Sequence, residues 1–146
     1  MKSLPRSLVP ARGMILYSLE DLVPTVKEKG YIAMHDPCCG SGALLIAGVH
    51  TAKIELAKEK MNYQNHIFVM AQDIDQTVAL MCYIQLSLLG VAGYIKVGNS
   101  LTDPVMAGDS NENYWFTPMY FSNVWHTRRM IDAFKKLLEG IDGGQV

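Results

Sequence analysis

Apolar positions along the chain fall into runs whose period switches between that of a helix and that of a buried strand. Residues 1–13, polar and interrupted by Pro5 and Pro10, show neither period and read as a lead-in to a single domain over 14–140, with a tail at 141–146. Tyr17 to Lys29 has a helical pattern, with Ser18 suited to the N-cap and Asp21 three residues later. Pro24 requires that this helix start there or kink, and Gly30 suits its end. Tyr31-Ile-Ala-Met-His35 is a short apolar run, read as a buried strand, and it leads directly into Asp36-Pro-Cys-Cys-Gly-Ser-Gly42. Ala43 to Asn62 is helical, apolar at Leu44, Leu45, Val49, Ile54 and Leu56, with charge gathering at Lys58, Glu59 and Lys60.

A second strand pattern, His66 to Met70, is followed by Ala71-Gln-Asp-Ile-Asp75. Thr77 to Leu89 is a helix short of polar residues on every face, so it is predicted to be fully buried or to build an oligomer interface, and it ends at Gly90. Tyr94 to Val97 is a third strand, followed by Gly98-Asn-Ser-Leu101. Asp103 to Asn113 is loop by composition, and Tyr114 to Phe116 is a fourth short strand. Ser122 to Glu139 is an amphipathic helix stopped by Gly140. Val124, Ile131, Phe134 and Leu138 share one face, and Arg128, Arg129, Lys135 and Lys136 the solvated one. Alternating helices and continuously apolar strands predict an α/β domain with a parallel sheet. Right-handed crossovers then bring the loops after the first three strands to one end of that sheet.

Composition narrows the class. In 146 residues, 49% are hydrophobic and 18% charged, with 13 basic and 14 acidic side chains and a net charge of −1. That excludes a disordered chain and a strongly basic nucleic-acid clamp. Three cysteines, two of them adjacent (Cys38 and Cys39), make no disulfide framework and point to a reducing, cytoplasmic compartment. Adjacent cysteines also bind one metal poorly, so no metal is expected. Pro5, Arg6, Pro10 and Arg12 break up any signal-peptide apolar stretch. Gln76 to Ile95 is uncharged over a membrane-span length, but Gln85, Ser87, Gly90 and Gly93 interrupt it, so it reads as a buried helix and a turn.

The chemistry sits at the three strand ends. Gly40 and Gly42 let the backbone turn sharply and approach a ligand, while the amides opening the next helix near Ala43 can hold a carboxylate or phosphate. Asp36 can accept from an ammonium or hydroxyl; a plain strand-to-helix turn accounts for the same residues. The pattern is neither a P-loop nor a dinucleotide fingerprint. Asp73, 37 residues on, can chelate the two hydroxyls of a ribose, whereas Asp75 suits an N-cap. Ile74 offers an apolar face to a flat base. Asn99 either reads an adenine edge or makes an Asx turn. Together the three loops favour an adenosine-type ligand.

These segments resemble the S-adenosylmethionine half of adenine-specific (N6) DNA methyltransferases, in particular the modification subunit of type I restriction systems and its relatives on phages and conjugative elements. The likeness spans roughly residues 14 to 101. It implies a Rossmann-like S-adenosylmethionine-dependent methyltransferase fold, with a shortened sheet of order about 3-2-1-4 whose fourth strand is an open edge, covered by the C-terminal helix or a second copy. It further implies that Asp36, Pro37, Cys38, Gly40, Ser41 and Gly42 hold the methionine part of the cofactor, that Asp73 takes the ribose hydroxyls, that Ile74 packs on the adenine, and that Asn99 stands beside its amino group. Tyr17 and Ser18 resemble the family's Tyr-Thr-Pro element, with Leu19 in place of Pro.

The family's catalytic element, Asn/Asp-Pro-Pro-Tyr/Phe, binds and stacks on a flipped adenine. Its nearest counterpart is Thr117-Pro-Met-Tyr120, where Pro118 and Tyr120 match while Thr117 replaces Asn/Asp and Met119 replaces Pro. Thr117, Pro118 and Tyr120 are the catalytic candidates on this likeness. DNA is the implied partner, reached through a partner subunit, with a homo-oligomer as a further expectation and no membrane. Two readings stay open. One is an adenine methyltransferase or the cofactor-binding part of one, shortened in its target-recognition half. The other is a catalytically inactive methyltransferase-fold binding protein of a mobile element, acting on DNA modification or restriction through a partner. Trp125, His126, Arg128 and Arg129 read as a solvated helix face with Trp125 at the core edge, rather than as a nucleic-acid contact.

Overall fold

Every second residue of the longest apolar run faces the same way, and this sorts the core into two layers. The computed structural model describes residues 19–142; the lead-in at 1–13 and the site candidates Tyr17 and Ser18 lie outside them. The described chain runs α1 (Leu19–Lys29), β1 (Ile32–Asp36), α2 (Ala43–Lys58), β2 (Ile67–Asp73), α3 (Gln76–Leu89), β3 (Ala92–Val97), β4 (Tyr114–Phe116) and α4 (Asn123–Asp142). Short 3₁₀ turns lie at Tyr63–Asn65, Asn111–Asn113 and Pro118–Phe121. On β2, Ile67, Val69 and Ala71 pack toward α1, α2 and α3 with Leu22, Val49, Leu56 and Leu86. Phe68 and Met70 point to the opposite layer, formed with Tyr94, Tyr120 and Trp125.

The four strands lie in the order β1-β2-β3-β4. β1, β2 and β3 are parallel, with Ile32 opposite Ile67 and Phe68 opposite Ala92. Successive right-handed crossovers in one direction put α2 and α3 on the same face. The Rossmann-like α/β class is therefore observed, but the expected order 3-2-1-4 is not. β4 lies beside β3, antiparallel to it, with Tyr94 opposite Phe116 and Lys96 opposite Tyr114, and leaves β1 as the other edge. The cause is the connection over 98–113. It contains no α-helix to carry the chain across the sheet, as a parallel return usually needs, only the 3₁₀ turn at Asn111–Asn113. It is instead tied to the end of β3 by Lys96, only 2% exposed, whose Nζ donates to Asp103 Oδ1 (2.8 Å), Asp109 Oδ2 (2.9 Å) and the Pro104 carbonyl (3.0 Å). The chain folds back where those carboxylates hold it.

Element ends differ from the sequence reading where local hydrogen bonding decides them. α2 stops at Lys58 rather than Asn62, because Lys60 adopts a left-handed φ of 58° and the Met61 amide bonds back to Leu56. α1 does not begin at Pro24; it runs from Leu19 through Pro24 to Lys29. α4 continues through Gly140 to Asp142, since Gly140 does not take up the left-handed cap conformation. α3 is not fully buried: Ala79, Cys82 and Leu86 face the sheet, while Met81, Ile84 and Leu88 are exposed. Arg128 and Arg129 do not belong to a solvated face. Arg128 donates to the Asn65 carbonyl (3.0 Å), and Arg129 donates to the Tyr120 carbonyl (2.8 Å) and stacks 3.9 Å over the Tyr120 ring. Trp125 is fully buried and donates to the Gln64 carbonyl (2.8 Å). No helix among the described residues is long and apolar enough to cross a membrane.

His35 sits near the end of β1, opposite Met70, with both ring nitrogens buried and without a hydrogen-bond partner. Burial pushes its pKa below the ordinary 6.5, partly opposed by the Asp36 carboxylate. The unfolded chain thus binds the extra proton first as pH falls, so this contribution to stability is full above about pH 6.5 and is lost as pH drops toward the folded-state pKa. Thermal unfolding followed from pH 7 to pH 5 is expected to show a falling midpoint, and His35→Leu to remove most of that slope. An unchanged slope in the variant rejects the assignment.

Candidate functional site

The loops after β1, β2 and β3 meet at the carboxyl end of the sheet and are held to one another by backbone amides. Asp36 Oδ1 accepts from the Cys38 amide (3.0 Å), starting the turn. Gly40 and Gly42 then adopt φ of 53° and 92°, in the left-handed region. A Cβ at Gly42 would stand 2.7 Å from Cys82 Sγ, so α3 packs directly against this turn. Gln85 of α3 donates to the Ser41 carbonyl (2.9 Å) and fixes it from the same side. Gly42 is the N-cap of α2 and brings no side chain to the first helical amides.

Asp73 joins two of the loops. Its Oδ2 accepts from the Gly40 amide (2.9 Å) and its Oδ1 from the Asp75 amide (3.0 Å). Asp75 caps α3 through its bond to the Val78 amide (3.1 Å), as its sequence position suggests. The third loop is tied in by the Gly98 amide, which donates to the Asp73 carbonyl (2.9 Å). Asn99 makes an Asx turn: its Oδ1 accepts from the Leu101 amide (2.9 Å), which leaves that oxygen a second lone pair.

Between these loops lies an open groove of about 250 Å³. Pro37, Cys38, Asp73, Ile74 and Asn99, all singled out from the sequence, line it. Gly98, Ser100 and Leu101 complete the wall. Ile74 and Leu101, 68% and 90% exposed, supply the apolar surface. Asp36, Gly40, Ser41 and Gly42 form the turn beside the groove rather than its wall. Cys38 is exposed, with its sulfur 3.9 Å from Ser100 Oγ. Cys39 is buried. Its hydrogen bond to Cys82, burial and the nearby Asp73 and Asp36 carboxylates all push its pKa up and favour the neutral thiol. Among the described residues no cluster of His, Cys, Asp and Glu could hold a metal ion.

Thr117, Pro118 and Tyr120 are not brought to this groove. Thr117 is fully buried at the other end of β3: its Oγ1 accepts from the Gly93 amide (3.0 Å) and donates to the Val91 carbonyl (2.7 Å). Gly93 and Val97 are four residues apart, about 13 Å along a strand. The antiparallel return of β4 carries the segment to the amino end of the sheet, and Tyr120 is buried there against Phe68 and Phe116. The proposed catalytic correspondence is corrected accordingly. Sequence reasoning passed over Leu101, Gln85 and Lys96. Leu101 was legible as the last residue of the Gly-Asn-Ser-Leu segment. Gln85 and Lys96 carry no local signal.

No curated protein and no solved structure matches the chain. The family model described as N-6 DNA methylase matches residues 18–141, covering all four strands and the groove. On that match the chain belongs to the N-6 DNA methylase family.

Proposed function

We propose that the groove binds S-adenosylmethionine and that the chain is the cofactor-binding part of a DNA adenine N6-methyltransferase, of the kind that serves as the modification subunit of type I restriction systems. The observation that carries this reading is the Asp73 carboxylate, anchored by two amides and set at a groove to which Ile74 and Leu101 bring exposed apolar surface. The donor set fits a nucleoside carrying an amino-acid tail. Asp73 has lone pairs left for a ribose diol, Ile74 and Leu101 offer apolar surface for a flat base, and Asn99 can both accept from and donate to an adenine edge. The uncapped amides of α2 beside Gly40 and Gly42 suit the carboxylate of the tail. Tyr17 and Ser18 belong to the same proposal through the family likeness alone.

When bound, the cofactor supplies a methyl group on a sulfonium, electrophilic toward an adenine amino nitrogen. This chain's residues hold and orient it; the groups that accept hydrogen bonds from the adenine are not supplied by Thr117, which faces the amino end of the sheet. That placement favours a second reading, in which the chain binds cofactor while a partner polypeptide receives DNA. Calorimetric titration of the chain with S-adenosylmethionine is expected to give stoichiometric binding. Methyl-labelled cofactor with mixed-sequence DNA separates the readings: label in DNA from the chain alone supports the enzyme, and binding without label supports the second. Absence of any binding heat sinks both.

A further inference from the structure

Among the described residues, nothing covers the apolar side of the C-terminal half of α4. The contacts of the preceding residues show its course across the sheet. Tyr120 packs on Phe116 and Phe68, Trp125 on Phe68 and Tyr31, and Arg128 over Tyr31 just before β1. The next turn therefore passes beyond β1, the last strand on that side. From Met130 to Ile141 every residue except Asp132 is exposed. This stretch still carries a continuous apolar stripe: Met130, Ile131, Phe134, Leu137, Leu138 and Ile141 are each between 49% and 70% exposed. As an extension of the packed first half this twelve-residue stretch is already nucleated, but its apolar stripe contributes nothing to stability while it faces water.

We propose that this half of α4 packs against the same segment of a second copy of the chain, as an antiparallel helix pair across a two-fold axis. Three features favour that occupant. Ile131, Phe134, Leu138 and Ile141 follow alternating steps of three and four, the seam that fits another helix of the same spacing. Between Met130 and Ile141 the two bases, Lys135 and Lys136, are matched by two acids, Asp132 and Glu139. The surface is thus neutral, with no bias toward an anionic lipid or a nucleic acid and no repulsion between copies. At on the order of 100 Å² for each exposed apolar side chain, the stripe offers about 600 Å² per copy. A standard interface buries about 800 Å² per partner, a shortfall the flanking stems can cover. A symmetric pair makes one patch serve both sides.

Sedimentation equilibrium of the full chain over a range of micromolar concentrations tests this. The expected result is a reversible dimer. Phe134→Asp and Leu138→Asp, in the middle of the stripe, are each expected to raise its dissociation constant by at least about thirtyfold, as for central interface residues. Far-ultraviolet circular dichroism and the fluorescence of buried Trp125 report whether the variants stay folded. Leu88→Asp, on the exposed face of α3, is expected to leave the dimer intact. A wild-type chain that stays monomeric throughout overturns the proposal, whatever the variants do. So does a dimer dissolved by Leu88→Asp but not by Phe134→Asp, or a monomer that binds vesicles or DNA through the stripe.

Discussion

Asp73→Ala is expected to abolish S-adenosylmethionine binding and to lower stability at the same time. The carboxylate holds the Gly40 and Asp75 amides together at 2.9 and 3.0 Å, so it joins the first and second loops of the groove. Hydrogen bonds to a charged acceptor each contribute about 1.5–3 kcal/mol, and part of that is lost to water at this half-exposed position. A drop of about 1–3 kcal/mol in unfolding free energy follows. The affinity loss is larger, because the ribose diol loses its acceptor and the Gly40 turn loses its tether. A decrease of at least about a hundredfold is expected by calorimetry, or 2.7 kcal/mol. Asp73→Asn separates the two effects. It keeps one acceptor oxygen but turns an NH₂ group toward one of the two amide donors, so it should retain more stability than Asp73→Ala and recover little binding. Near wild-type affinity in either variant removes Asp73 from the site.

Gly93→Ala is expected to prevent folding altogether. Gly93 lies in β3 opposite Val69, and a Cβ there would stand 2.1 Å from the Val69 carbonyl oxygen, 2.9 Å from its carbon and 3.0 Å from its nitrogen. These are backbone atoms of the central strand, so no side chain can swing aside. On its other side Gly93 is clamped by Thr117, whose Oγ1 accepts from the Gly93 amide and whose amide donates to the Gly93 carbonyl. Relief requires opening the β2–β3 pairing on which both core layers rest. The cost exceeds about 4 kcal/mol, a large share of the stability of a domain this size. Gly140→Ala is the control, since it has open space around the added methyl and lies in a helix. It should gain a few tenths to about 1 kcal/mol. Soluble expression and circular dichroism decide the matter: a cooperatively folded Gly93→Ala chain would contradict the close approach.

The groove was largely legible because its signals are local. Asp36, Asp73 and Asn99 each stand within two residues of the end of an apolar run, and an Asx or capping side chain works on amides two or three residues away. The Asp75 cap and the Asn99 turn needed no knowledge of the rest of the fold. Leu101 was within reach by the same logic. Gln85 was not, since its bond to the Ser41 carbonyl spans 44 residues and nothing near Gln85 announces it.

Thr117 shows where the sequence misleads. Its spacing from Asn99 fits a catalytic loop, yet its hydroxyl is consumed by the Gly93 amide and the Val91 carbonyl at the far end of β3. The decision was taken elsewhere, by Lys96. A buried ammonium must be paired, and Asp103 and Asp109, both in the connection over 98–113, pair with it. Pairing them folds that segment back and sets the direction of β4.

By itself, then, the sequence determined the parallel βαβαβ half and the convergence of its three loops. Strand period, glycine placement and crossover handedness act over a few residues each and leave one outcome. Tertiary structure alone decided the position of β4, the burial of Thr117 and the exposed stripe on α4. Each depends on which distant group satisfies a buried charge, a hydroxyl or an apolar face. The hydrophobic pattern says that such a face must be covered, but not whether its own sheet extends far enough to cover it.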